Sequence, residues 1–285
     1  MNEPKPIDVS FEFFPPKTPE AETALWAAIR KLEVFDPSYV SITYGAGGST
    51  QDATLATVTR IAHETRLCPV PHLTCVGKTR QEVDEVVRAI GRAGMRHIVA
   101  LRGDPPGGAL RYEPTPGGYV NGADLVGGIR ALGDFEISVA AYPEKHPESF
   151  TLEVDLAMLA AKVDNGATAA LTQFFFDNSA YFRFVDRARA RGIDIPIIPG
   201  ILPVTNFERV RQFAERCGAR LTSAFARRFE GLENAPEERR LVAAAVAAEQ
   251  VTALRAEGVN SFHFYTLNRA ELSYAICHLL GVRPK

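Results

Sequence analysis

Eight short runs rich in apolar, β-branched and aromatic residues recur along the chain, and each is followed by a longer segment with helical periodicity. The runs lie near Val9–Phe14, Tyr39–Tyr44, Val70–Cys75, His97–Arg102, Ile137–Tyr142, Ala169–Phe174, Ile195–Ile201 and Ser261–Leu267. Most are hydrophobic at nearly every position, as strands covered on both faces must be. Strands that alternate with helices in this way are parallel and joined by right-handed crossovers. Eight such units in 285 residues predict an α/β fold, a (β/α)8 TIM barrel, a fold that typically takes roughly 250 residues. An open doubly wound sheet fits the count less well. No linker-like stretch, repeat or low-complexity tract interrupts the alternation, so a single domain over residues 1–285 is expected.

The intervening segments carry their own start and stop signals. Thr18 stands as an N-cap before Pro19 at the first helical position. Thr79 and Glu82 have the spacing of a capping box. Gly94 follows the periodic set Val83, Val86, Val87 and Ile90 and is placed to end that helix. A long alanine-rich helix is expected over Pro236–Glu257.

Composition removes several kinds of partner. Lys plus Arg number 32 against 34 for Asp plus Glu, so neither nucleic acid nor an anionic membrane surface is expected to bind. The polar opening Met1–Pro6 has no signal-peptide core, and no apolar stretch reaches membrane-spanning length. The four cysteines are scattered without a C-x-x-C pair, as expected of reduced thiols in a cytoplasmic protein. No histidine pair has the helical spacing of a zinc site, and no metal is expected.

In a barrel the chemistry gathers where the strands end. Glu12, Thr43, His72, Arg102 with Asp104, Tyr142 with His146, Gln173, and Asn268 with Arg269 all fall at such ends. Glu12 sits within Ser10-Phe11-Glu12-Phe13-Phe14-Pro15-Pro16. A carboxylate among aromatic rings is costly to bury ionised, and one that keeps its proton can act as a general acid. Alternation could instead turn Glu12 to solvent or into a structural ion pair. His97 begins its strand and belongs to the stability end of the barrel. After the fourth strand, half of the twenty residues Gly103–Gly122 are Gly or Pro, the composition of a binding loop or lid. Gly45-Ala46-Gly47-Gly48-Ser49-Thr50 could cradle a phosphate or simply form a tight turn.

Eight segments, in order, resemble the methylenetetrahydrofolate reductase family. They are Ser10–Pro16, Ser41–Gly45, Pro71–Cys75, Leu101–Asp104, Ala140–Glu144, Thr172–Asp177, Ile198–Ile201 and Phe262–Arg269. The resemblance covers the chain from about Val9 to Pro284 and corresponds to the short bacterial form. It implies FAD as cofactor, NADH or NADPH as hydride donor, and ping-pong reduction of 5,10-methylenetetrahydrofolate to 5-methyltetrahydrofolate, a one-carbon step that serves methionine synthesis. A homo-oligomer is also implied.

Matched position by position, the resemblance makes Glu12 the acid that helps open the folate's five-membered ring. Asp104 becomes the carboxylate beside flavin and pterin. Gln173 and Phe213 contact the substrates, and Arg209 and Arg269 fall at the folate's benzoyl-glutamate end, where a guanidinium suits a carboxylate. The implied flavin contacts are Thr43 (on the nicotinamide side), Tyr44, Ala46, His72, Arg102, Gly103, Asp104, Asn121, Gly122, Tyr142, His146, Asp155 and Lys162. Three positions depart from the pattern. Asn121 stands where relatives often carry an aromatic residue, and Met158 and Ala161 replace contacts to the dinucleotide's phosphates or adenosine. These changes would weaken flavin retention. They leave room for two other readings, a flavin-independent folate enzyme on the same barrel or a folate-binding protein without turnover.

Overall fold

A computed structural model describes residues 6–45, 51–105, 112–204 and 206–285. The strands are β1 (Asp8–Phe13), β2 (Tyr39–Ile42), β3 (Pro69–Thr74), β4 (His97–Leu101), β5 (Glu136–Ala141), β6 (Ala169–Thr172), β7 (Ile197–Ile198), β8 (Gly200–Ile201) and β9 (Ser261–Tyr265). The helices are α1 (Pro19–Leu32), α2 (Gln51–Glu64), α3 (Arg80–Arg92), α4 (Gly122–Leu132), α5 (Leu152–Asp164), α6 (Asn178–Arg189), α7 (Phe207–Cys217), α8 (Ser223–Arg227), α9 (Pro236–Ala256) and α10 (Ala270–Leu279).

All strand pairings are parallel, in the order β7-β6-β5-β4-β3-β2-β1-β9-β8. The expected seventh strand is cut in two at Pro199, which has no N–H to give to a ladder. Its first half pairs with β6 and its second with β9, so one interrupted run closes the barrel. The carbonyl of Pro199 still takes part, accepting from the His263 N–H at 3.0 Å. The expected helix signals are all present. Thr18 caps α1, Thr79 and Glu82 form a reciprocal capping box on α3, and Gly94 takes a left-handed φ of 83° just past that helix. The five-residue α8 had no periodic signal to announce it.

Alternation along the strands separates two interiors. Val9, Phe11, Phe13, Phe262 and Phe264 belong to the large apolar shell between barrel and helices. Tyr39, Val70, Val99 and Leu171 form a much smaller apolar cluster inside the barrel, joined by Leu101 and Ile198. The remaining buried inner positions are polar, among them Ser10, Ser41, His72, Thr74, Ser138 and His263. His97 Nε2 lies 2.8 Å from Ser138 Oγ, with its ring edge-on to Tyr39.

Burial pulls both His72 and His97 down to about 4 from an ordinary 6.5, so both are neutral in the fold at neutral pH. The unfolded chain takes up these protons below pH ~6.5 and the folded one does not. Stability is therefore full above that value and falls as pH drops toward 4, by about 1.4 kcal/mol per pH unit for each ring. Denaturant unfolding between pH 7 and 4.5 should show His97→Gln losing less stability per unit than the parent. Identical slopes would contradict the assignment.

Candidate active site

The backbone that carries Glu12 is fixed on both sides. Glu12 is in register with Ser41 of β2 and Tyr265 of β9. Its carbonyl accepts from Thr266 Oγ1 at 2.6 Å. Two residues on, Phe14 exchanges hydrogen bonds with the Asn268 amide, N–H to Oδ1 at 2.8 Å and Nδ2 to the carbonyl at 3.0 Å. Leu267 and Asn268 both adopt left-handed φ, 52° and 57°, a strained turn that this clamp holds in place.

So placed, Glu12 points into the barrel rather than to solvent. Its Oε2 lies 3.5 Å from His72 Nε2 and 3.8 Å from His263 Nε2, and its side chain is 14% exposed. Both ring nitrogens are buried with no hydrogen-bond partner among the described residues. Ser10 Oγ donates to the Phe262 carbonyl at 3.4 Å and lies 2.8 Å from His263 Nδ1. The Ser10 contact occupies Nδ1 of His263 and leaves its Nε2 directed toward Glu12. His263 was legible only as part of a motif, because inside a strand a buried histidine looks like any core residue.

A cavity of about 520 Å³ opens above this group. Thr43, Gln173, Asp104 and Tyr142 line it, as expected at strand ends, and so does Phe213, which the resemblance named; Phe14, Tyr265 and Arg216, which the sequence did not single out, line it as well. Phe213 projects from α7, 40% exposed, and stacks on Phe174 with centroids 5.1 Å apart. Arg209 and Arg269 are exposed and are not among the lining residues.

A second cavity of about 380 Å³ shares Tyr44, Asp104, Tyr142, His146 and Glu148 with the first. Its wall adds Arg102, Gly103, Asn121, Gly122, Asp155, Met158 and Lys162. Gly103 has φ +88°, and a Cβ there would strike Val76 and Thr74, so the turn that presents Asp104 requires glycine. Arg102 is held by Glu148 at 3.0 Å and lies over the Tyr112 ring at 4.6 Å. Asp155 accepts from the His146 N–H at 2.8 Å and from Ser149 Oγ at 2.6 Å, which folds the β5–α5 loop against the cavity. Asn121 caps α4 through Oδ1, which accepts from the Ala123 and Asp124 N–H groups. Ala46, and with it residues 46–50 of the glycine-rich segment, lies outside the described residues, as do residues 106–111 of the Gly/Pro loop.

The chemistry of this second wall fits a flavin with a phosphate-bearing tail. Alanine and leucine surfaces suit a planar ring, and Thr74 offers a buried hydroxyl with no partner among the described residues. Lys162 brings a buried amine, donating to the Ala140 carbonyl at 2.8 Å and pulled down to about 8 by burial.

The comparisons agree along the whole length. The family model described as methylenetetrahydrofolate reductase matches residues 1–281. The 5,10-methylenetetrahydrofolate reductase of Salmonella typhimurium is 51% identical over 278 residues, covering 98% of this chain and 92% of that protein. The enzyme of the same name from Escherichia coli strain K12 is 49% identical with the same coverage. Among solved structures, an uncharacterized protein from Clostridium thermocellum that binds two copies of 5-methyl-5,6,7,8-tetrahydrofolic acid matches with a TM-score of 0.64. That likeness covers 96% of this chain and 94% of the other at 13% identity, and it speaks for the fold alone. With a family model spanning nearly every residue and relatives at half identity, the chain belongs to the methylenetetrahydrofolate reductases, a family of oxidoreductases.

Proposed function

We propose that the protein reduces 5,10-methylenetetrahydrofolate to 5-methyltetrahydrofolate with NADH or NADPH, using FAD, in two half-reactions that share one cavity. The observation that carries this reading is Glu12, a carboxyl group at the floor of that cavity with two buried imidazole nitrogens turned toward it.

Tyr44, His72, Arg102, Gly103, Asp104, Gly122, Tyr142, His146, Asp155 and Lys162 would hold the flavin, with Thr43 on the nicotinamide side. When bound, FAD accepts hydride from the nicotinamide nucleotide and returns it to the folate's one-carbon unit. The protein's own part is acid–base and electrostatic. Glu12 delivers its proton to the nitrogen that leaves as the five-membered ring opens, and a cationic iminium remains. Neutral His72 adds no positive charge to oppose that cation. Asp104, at the edge of both cavities, favours the cation by its negative charge. Gln173 presents an amide to either substrate, its Oε1 also accepting from the Phe174 N–H at 3.0 Å. Phe213, already stacked on Phe174, offers a face to whichever ring system enters. Arg209 and Arg269 lie outside this wall and are proposed to reach only the folate's outer end.

Two outcomes test this account. Glu12→Gln should leave flavin reduction by the nucleotide largely intact while slowing folate reduction by about 10²- to 10⁴-fold, the usual worth of a general acid. Equal slowing of both half-reactions in rapid-mixing experiments would remove Glu12 from the second half-reaction. The other outcome concerns Lys162. Its ammonium form pairs with a phosphate, so flavin affinity should be constant below pH ~8 and weaken above it. Fluorescence titration of the apoprotein with FAD should show this dependence, and Lys162→Met should bind more weakly without it. A parent whose affinity is the same at pH 7 and 9 would contradict the assignment.

A further inference from the structure

Three arginines lie on α7, and they are not equivalent. Arg211 is fully engaged, with Nε and Nη2 on Glu208 at 3.0 and 2.7 Å and Nη1 on Glu215 at 3.1 Å. Arg216 has no ion pair and no side-chain hydrogen bond among the described residues, although it lines the cavity that holds Glu12. Arg209, Phe213 and Arg216 stand at i, i+4 and i+7, which puts all three on one stripe of the helix. Phe213 of that stripe already faces the cavity.

The other fixed charges of the cavity have the opposite sign or are neutralised. Glu12 and Asp104 are carboxylic acids on the strand ends, and Glu148 is consumed by Arg102. Asp104 and Arg216 line the same cavity, so acid and guanidinium face one space. The cavity is therefore polarised, with Glu12 at its floor, Asp104 at its edge and Arg216 as the free cation of its described rim. An occupant matched to this field has a neutral or cationic heterocycle inside and an anionic end directed outward.

We propose that Arg216 is a binding residue for that anionic end, a carboxylate or phosphate oxygen of the substrate in the cavity. The inference rests on the proposed function for its substrates, a folate ending in carboxylates and a nucleotide carrying phosphates. It adds a residue to which that reading gives no role. Arg216 is exposed, so its contribution is moderate, and it acts on affinity rather than on the bond-making step.

The test uses flavin-loaded enzyme with Arg216→Ala and Arg216→Lys, following each half-reaction separately by rapid mixing. In the arm whose substrate it holds, Arg216→Ala should raise the apparent dissociation constant about tenfold, equivalent to about 1.4 kcal/mol. The limiting rate and thermal midpoint should be unchanged, and Arg216→Lys should recover most of the affinity. In the folate arm, a substrate lacking the glutamate should erase the difference between parent and Arg216→Ala. In the nucleotide arm, reduced nicotinamide riboside, which carries no phosphate, should do so. Unchanged affinity in both arms, or a fall in limiting rate alone, would overturn the proposal while leaving the reductase reading in place. A parent inert toward methylenetetrahydrofolate would overturn that reading, and this inference with it.

Discussion

The active site depends first on closure of the sheet. β1 and β9 are about 250 residues apart in sequence, yet they pair over five consecutive positions from Asp8–Ser261 to Glu12–Tyr265. That register sets Ser10 beside His263 and carries Glu12 to the rim of the same ring. The opposite join is made by two short pieces on either side of Pro199, one bonded to β6 and one to β9. Without this closure Glu12 would lie on a strand edge, and a carboxyl there would be an ordinary solvated acid. With it, the acid is enclosed by side chains from several strands.

Closure also sets the electrostatics. The barrel's inner space is filled only partly by apolar side chains, and burial keeps His72 and His97 of the polar remainder uncharged. Moving outward, the groups become ionised and paired, first Arg102 with Glu148 and then Arg211 with Glu208 and Glu215. Arg216 breaks that trend: of the two α7 arginines without a side-chain partner among the described residues, it is the one that lines the cavity.

The sequence carried the architecture because buried parallel strands and capped helices leave local signatures, and Thr18, Thr79, Glu82 and Gly94 all occur where those signatures put them. The strand-end rule then brought Glu12, Thr43, Asp104, Tyr142 and Gln173 to one cavity. It was blind where function depends on pairing across the barrel. His263 reads as a core residue until β9 lies beside β1. Arg216 reads as one more charge on an amphipathic helix until its partners are known to be missing. Arg209 and Arg269 have the right chemistry for a carboxylate but stand outside the cavity wall. Asn121 shows the reverse case, a residue read only against a motif whose local use as a helix cap the structure supplies.

The central claim is that one cavity serves a nicotinamide nucleotide and a folate in turn through a bound flavin. It is tested most directly by the visible absorption spectrum of the purified protein, supplied with FAD and held without oxygen. The account predicts a yellow protein that bleaches with NADH or NADPH and regains its colour when methylenetetrahydrofolate is added. A protein that binds no flavin, or one that bleaches but does not recover with the folate, would contradict it.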